Sequence, residues 1–559
     1  MIEKIIPAFG WLPTYKRSDM TGDLSAGLIV AIMLVPQAMA YAMLAGLPPV
    51  IGLYSSTVPL IIYALFGSSR QLAVGPVAMV SLLVFVGASK MSKPGTEEYI
   101  SLIILLSLMV GVIQFAMGLF RMGFLVNFLS DAVINGFTSA AAIVIMLSQL
   151  KHLLGIKLMG GYSAFNVLLE TGQRIGEINI ITLAIGLASI AVLVIFRKKK
   201  PHFPAPILVV AGGALVVYLL RLHELGVEII GSVPKGLPGF SVPTFSLNSM
   251  VVLLPTAMTI FFVAFMESIS IGKLIAVKEN YKIDSNQELK GLGLANMVGS
   301  FFSAYPVTGG FSRTAVNYQA GARTALASII TGVLIIMTLL FLTPLFFYLP
   351  KAVLAAIIIV AVFGLIDVKE ATHYLKVKQI DGWTLVLSFV ATLTLGIEQG
   401  ILIGVAFSLL VFIWRSSHPH TAVLGYLVKE NVFRNVKRFP EVKNYPEMLI
   451  LRVDASLYFA NTSFLEDRLR ESILDKPEVR WIVIDMSGVN DIDAVAINTI
   501  DKIMENYKEM GITFAFAGMK GPVRDLVAKA GWKEKYGEHI SYLSLQDALQ
   551  KIGLMGRYR

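Results

Sequence analysis

Long apolar runs, each near the length that crosses a bilayer, recur from residue 24 to residue 415, and polar residues collect in the gaps between them. The first run covers 23–47. Others follow near 50–67, 73–89, 99–120, 130–150, 179–196 and 204–221, before a loop rich in Gly and Pro over 222–248. A second set lies near 250–275, 289–305, 310–322, 325–348, 351–366, 381–397 and 399–415. The pattern predicts fourteen spans in two sets of seven. An odd number of crossings per set makes the second half enter from the opposite side, which is an inverted repeat. Residues 1–23 read as a cytoplasmic lead-in, 24–416 as the transmembrane domain and 417–440 as a linker. From 441 the period changes. Strand runs at 448–459, 481–485, 512–517 and 541–543 alternate with helical patterns at 463–474, 494–508, 521–530 and 545–552, predicting an α/β domain over 441–559.

Composition agrees with a polytopic chain: 55% of the 559 residues are hydrophobic and only 15% charged. A formal net charge of +10 would suggest nucleic acid in a soluble protein. Here much of the excess sits in short loops, so topology is the simpler reading and no nucleic-acid partner is expected. With the N-terminus inside, Arg70, Arg121, the 197–200 basic run, Lys273, Lys278, Lys282, Lys290, Arg323, Lys369, Lys376, Lys378 and Arg415 fall inside. Fewer cations, among them Lys90, Lys93, Lys151, Arg221, Lys235 and Lys351, fall outside. That bias predicts a multi-pass plasma (inner) membrane protein with both its N-terminus and its C-terminal domain in the cytoplasm, surrounded by lipid bilayer. Residues 1–23 are charged and short, without the apolar core of a cleavable signal peptide. Zero cysteines exclude disulfides and thiolate metal sites. No nucleotide-binding loop is present, so neither an enzyme nor a directly ATP-driven pump is expected.

Two spans are interrupted. Tyr305-Pro-Val-Thr-Gly-Gly-Phe-Ser-Arg-Thr-Ala-Val316 breaks the helical pattern at membrane depth, and Leu72-Ala-Val-Gly-Pro-Val-Ala-Met79 does the same in the first half. Irregular backbone is tolerated there only when buried in protein or lining a polar cavity. A helix restarting at the break aims unpaired N–H groups and a positive dipole end into that cavity. In an inverted pair the two restarts can face each other near the midplane. Arg313 adds a full charge in the first turn. An anion site is the economical reading, against an arginine used only as internal glue. Ser312 and Thr314 can bond an oxyanion or simply cap the helix. Glu267 is the carboxylate deepest in an apolar span, and a carboxylate balanced between burial and a nearby cation can change protonation during transport. The bland alternative is a static ion pair with Arg313. Gln37 and Tyr41, spaced i, i+4, share a face of the first span beside Pro36 and suit an anion's oxygens, although interhelical bonding explains them equally well. Ser81, Asn135, Asn296 and Ser300 read as interhelical hydrogen bonds.

These stretches resemble the sulfate permease (SulP) family over nearly the whole chain. The specific blocks are Pro36-Gln-Ala-Met-Ala-Tyr-Ala-Met-Leu-Ala-Gly-Leu-Pro-Pro-Val-Ile-Gly-Leu-Tyr54 and Gly67-Ser-Ser-Arg-Gln-Leu-Ala-Val-Gly-Pro76. The resemblance implies a seven-plus-seven inverted repeat with core and gate domains, similar to the uracil transporter fold. It implies an anion site between the third and tenth spans, built from Gln37 and Tyr41, from Gly75, Pro76, Val77 and Ala78, and from Phe311, Ser312 and Arg313. Glu267 matches the acidic position of the eighth span. Family members with Asp there include sodium-coupled bicarbonate transporters, so Glu leans toward protons. The stretch Val483-Ile-Asp-Met-Ser-Gly-Val-Asn-Asp-Ile-Asp-Ala-Val-Ala496 resembles a STAS domain, the module of anti-sigma-factor antagonists. Their phosphorylated serine is missing here: Ala494 and Val495 follow Asp493. A docking or dimer-supporting role, and a homodimer, are therefore expected.

The expectation is a secondary active anion transporter that imports sulfate by proton symport and alternating access. H+ stands ahead of Na+ as coupling ion, with no cofactor and no metal. A sodium- or proton-coupled bicarbonate or dicarboxylate importer is the first alternative. An anion channel, or a signalling protein with the STAS domain as output, is the alternative of another class.

Overall fold

The computed structural model describes residues 6–124, 130–157, 164–199, 203–474 and 476–553. Residue 200 of the basic run, the first five residues of the lead-in and the last six of the C-terminal domain lie outside the described residues. The chain divides into two compact units at Ser408 and Leu409.

In the first half of the membrane unit, α1 (Arg17–Leu44), α2 (Val58–Phe66), α3 (Ala78–Ala88), α4 (Glu97–Leu119), α5 (Asp131–Ser148), α6 (Ile180–Lys199) and α7 (Ala205–Leu219) are the principal helices of the seven spans. The second half carries α8 (Leu247–Lys278), α9 (Ser285–Ser300), α10 (Phe311–Gln319), α11 (Leu326–Met337), α12 (Lys351–Phe363), α13 (Gln379–Leu395) and α14 (Ile397–Ser417). The fourteen spans form the seven-plus-seven repeat that the apolar pattern predicts. A surface helix follows span five at Ala164–Gln173, and another follows span twelve at Val368–Val377, the equivalent place in the second half. The lead-in is shorter than expected: α1 begins at Arg17, where Asp19 closes a capping box on the Lys16 backbone.

Spans three and ten are only half helical. At 1.5 Å per residue, the eleven residues of α3 and the nine of α10 rise roughly 16 and 14 Å, about half of a hydrocarbon core. Each is completed by an extended pair, β1 (Val74–Gly75) and β2 (Thr308–Gly309). These pair antiparallel, Val74 opposite Gly309 and Gly75 opposite Thr308, so each break satisfies the other's backbone. Side chains finish the accounting. Asn296 donates to the Val307 carbonyl at 3.1 Å and accepts from its N–H at 2.7 Å, while Ser268 accepts from the Gly309 N–H at 2.9 Å. Asn296 therefore serves the broken backbone rather than a neighbouring helix alone. It also donates to Gln114 of α4 at 2.9 Å. Close approach of α4 and α9 depends on small residues, since a Cβ at Gly293 would lie 2.5 Å from the Phe115 nitrogen.

The second unit is a five-stranded sheet of order β4-β3-β5-β6-β7: β3 (Thr421–Leu427), β4 (Val432–Asn435), β5 (Met448–Val453), β6 (Trp481–Asp485) and β7 (Thr513–Ala517). The last three strands are parallel, in register Met448–Trp481–Thr513. Helices α15 (Thr462–Leu474), α16 (Ala494–Glu509), α17 (Gly521–Lys529) and α18 (Leu545–Lys551) alternate with them. Strand periodicity sorts the core. Leu449, Leu451, Ile482, Ile484, Phe514 and Phe516 join one buried cluster, while Ile450, Val483 and Ala515 join the other. Residues 417–440, expected as a linker, instead hold the β3–β4 hairpin that closes one edge of the sheet. Charged residues around 429–438 hid it, because an edge strand facing water keeps little apolar periodicity. The strand expected at 541–543 is reduced to one bridge, Ala517 to Tyr542.

Candidate anion-binding site

The crossing of the two broken spans sets the positions of the charged groups. Arg313, in the first turn of α10, is 2% exposed. Its Nε donates to the Ala73 carbonyl at 3.2 Å and its Nη1 to the Pro76 carbonyl at 3.0 Å. The guanidinium thus ties the start of α10 to the break before α3. The third nitrogen, Nη2, is buried with no hydrogen-bond partner. Gly75 makes room for it. Its φ is +153°, and a Cβ there would sit 3.2 Å from Nη2. Thr314 accepts from the Ala73 N–H at 3.1 Å, which assigns its hydroxyl to the staple.

Glu267, in α8, approaches from the other side, its carboxylate near the Phe311 N–H at the start of α10. Its Oε2 has no partner. No salt bridge joins Glu267 and Arg313 among the described residues, so the static ion pair is absent from this geometry. Tyr41 and Tyr305 lie within electrostatic range of Arg313. Tyr305 is held by Ser81 at 2.9 Å.

A cavity of about 400 Å³ opens beside Glu267 and the start of α10. Glu267, Phe311, Met79, Asn135 and Thr138 line it, and Asp131, Asp367 and Glu370 also contribute to its wall. Phe311 is 42% exposed, its ring facing open space rather than packing. An unsatisfied buried guanidinium N–H, two restarting half-helices and an adjoining cavity form a concave site suited to a small anion.

The sequence profile of the Sulfate permease family matches residues 20–388. The chain belongs to the sulfate permease family. The profile of the STAS domain matches residues 439–548. Among characterised relatives, "Sulfate transporter 4.1, chloroplastic" of Arabidopsis thaliana is 41% identical over 98% of this chain and 82% of its own length. "Sulfate transporter 1.2" of the same plant is 35% identical over 98% of this chain and 88% of its own. The fold is similar to murine Solute Carrier 26 family member A9, an anion transporter solved in the inward-facing state. The TM-score is 0.91 at 26% identity, covering 99% of this chain and 94% of that one. The transmembrane domain of the cyanobacterial bicarbonate transporter BicA shares the fold alone, with TM-score 0.61 and 21% identity over 70% of this chain and 98% of its own.

The residues singled out by sequence divide into three groups. Gly75, Pro76, Val77, Phe311, Arg313 and Glu267 meet at the crossing or line the cavity, and a Cβ at Gly310 would touch both Arg313 and Val77. Gln37, Tyr41 and Ala78 are buried near it but do not line the cavity. Ser312 is exposed and takes no part in the cavity wall. Sequence reasoning missed the far wall. Asn135 reads as helix glue, yet it and Thr138 line the cavity from α5. Their i, i+3 spacing on an apolar helix was the available signal.

Proposed function

We propose that this chain is a secondary active transporter that imports sulfate by proton symport and alternating access. The observation that carries the reading is the Nη2 of Arg313, a buried cationic N–H left without a partner where two half-helices restart. Sulfate would accept from Nη2 and from backbone N–H groups at the starts of α3 and α10, with Tyr41 and Gln37 behind it. The plant relatives named as sulfate transporters support the choice of anion. Glu267 carries the coupling. Glu267 lines the cavity, its Oε2 has no hydrogen-bond partner, and its charge is felt at the guanidinium. Protonation there removes a repulsive charge as the anion arrives. Asp131 and Asp367 sit at span ends that the charge bias puts inside, which supports an inward-open cavity. A plasma (inner) membrane location with a cytoplasmic STAS domain, and a homodimer, complete the proposal.

The experiment is radiolabelled sulfate uptake into proteoliposomes under an imposed inward proton gradient, with and without excess bicarbonate or fumarate. Gradient-stimulated uptake, lost in Arg313→Ala and uncoupled in Glu267→Gln, is the expected result. Uptake of bicarbonate or fumarate in place of sulfate would overturn the substrate, and uptake indifferent to the proton gradient would overturn the coupling.

A further inference from the structure

A second cavity, of about 520 Å³, shares no lining residue with the first. It lies on the same side of the membrane as the N-terminal segment, beneath the short helix Ala8–Trp11. Its wall gathers cations from three separate loops: Arg70 between spans two and three, Lys282 between eight and nine, and Arg323 between ten and eleven. Trp11, Tyr15 and Tyr281 add aromatic surface.

These cations are short of partners. The Arg70 guanidinium rests over the Tyr281 ring, 4.9 Å from its centroid. Among the described residues neither Arg70 nor Lys282 has a carboxylate within salt-bridge distance, and Arg323 has only Glu279 at 3.9 Å. Glu279 and Asp19 also line the space, and each accepts a further hydrogen bond from a neutral donor. Tyr318 donates to Glu279 at 2.9 Å, and Asp19 accepts from the Lys16 N–H at 3.3 Å.

The loops that carry the two arginines are pinned from below by buried carboxylates. Glu288, 1% exposed, accepts from the Tyr63 hydroxyl at 2.6 Å and from the backbone N–H groups of Ser68 at 2.6 Å and Ser69 at 2.9 Å. Asp23, fully buried, accepts from the N–H groups of Arg323 at 2.7 Å and Thr324 at 3.0 Å, and from the Thr324 hydroxyl at 2.6 Å. Burying a carboxylate is costly unless every oxygen is satisfied, and here two are used to hold the backbone beside Arg70 and at Arg323. Such pinning pre-organises a binding site and is superfluous for a solvated surface loop.

We propose that this cavity binds a phosphate-bearing ligand larger than a bare inorganic anion. Guanidinium forks match phosphate oxygens in geometry and charge. The volume exceeds what a lone oxyanion fills, and the aromatic wall accepts a ring or an apolar stem. The phosphate can come from an acidic lipid headgroup or from a soluble phosphate ester. Phe9, Leu12 and Met20 lie exposed on the neighbouring segment, where a bilayer surface would cover them.

The test is the unfolding midpoint of the full chain in detergent, titrated with inorganic phosphate, adenosine monophosphate or dioctanoyl phosphatidic acid. At least one of the two organic probes should raise the midpoint of the wild type. The combined Arg70→Gln, Lys282→Gln, Arg323→Gln variant should bind that probe roughly 100-fold more weakly. Should that variant fail to fold, Lys282→Gln alone, at an exposed position, should weaken it about 5-fold. Arg313→Gln should leave this binding intact. A response to phosphatidic acid alone identifies a headgroup site, and a response to the nucleotide a soluble ester. The proposal fails if neither organic probe stabilises the wild type, if the variants bind as well as the wild type, or if Arg313→Gln abolishes the effect. That last outcome would place the ligand in the transport site.

Discussion

Arg313→Gln separates the two tasks that the guanidinium performs. In the absence of anion, the substitution removes donations to the Ala73 and Pro76 carbonyls, at 3.2 and 3.0 Å, inside a buried crossing. Each orphaned carbonyl costs about 1–3 kcal/mol, and a glutamine amide recovers part of that, so a loss of about 2–4 kcal/mol in stability is expected. In the presence of sulfate, a second loss appears. The charge-assisted bond from Nη2 contributes about 2–3 kcal/mol, which is roughly 30- to 150-fold in Kd. Both are read from one assay, the thermal midpoint of purified protein titrated with sulfate: the midpoint without anion reports the staple, and its sulfate dependence reports the site. Arg313→Lys keeps the charge without the planar fork, so it should fall between wild type and Gln in binding while losing as much stability as Gln. Folded Arg313→Gln that binds sulfate with wild-type affinity would refute the anion role and leave only the staple.

Glu267→Gln should abolish stimulation of uptake by a proton gradient while preserving sulfate-for-sulfate exchange, measured with radiolabel in preloaded vesicles. Gly75→Ala should raise the KM for uptake and lower the thermal midpoint. A residue with a Cβ at φ +153° costs of order 1–3 kcal/mol, and that Cβ presses on Nη2 from 3.2 Å. Ser312→Ala should leave uptake within error of wild type, because the hydroxyl is exposed and stands off the cavity wall. Asp23→Ala strands two backbone N–H groups and a hydroxyl at the turn before α11. A loss of about 2–4 kcal/mol in detergent unfolding is expected.

Local chemistry at the breaks was readable without coordinates. Gly75-Pro76 and Gly309-Gly310 interrupt apolar runs, and the bilayer punishes open backbone, so a polar cavity had to be nearby. Arg313 and Glu267 stood out for the same reason: a charge at membrane depth needs an explanation. The division of labour between neighbours was not readable. Ser312, Arg313 and Thr314 are consecutive, but a helix turns 100° per residue. Only the packing of α10 against β1 turned Thr314 toward the staple, Arg313 toward the crossing and Ser312 away from both. Asn135 is ambiguous in sequence for a related reason, since a polar residue on an apolar helix looks alike whether it faces a neighbour or a cavity.

The amino-acid sequence by itself determined the membrane class, the two sets of seven spans, the positions of both breaks and the α/β character of the C-terminal domain. Each of these follows from local periodicity and from the cost of unpaired backbone in lipid. Tertiary structure decided what depends on chain segments more than 100 residues apart: the pairing of Val74 with Gly309, the two carbonyls that hold Arg313, the cavity wall on α5, and the carboxylates of Asp23 and Glu288 beneath distant loops. A hydrogen bond between remote residues leaves no periodic trace in either partner's neighbourhood, so those contacts become visible only once the chain is folded.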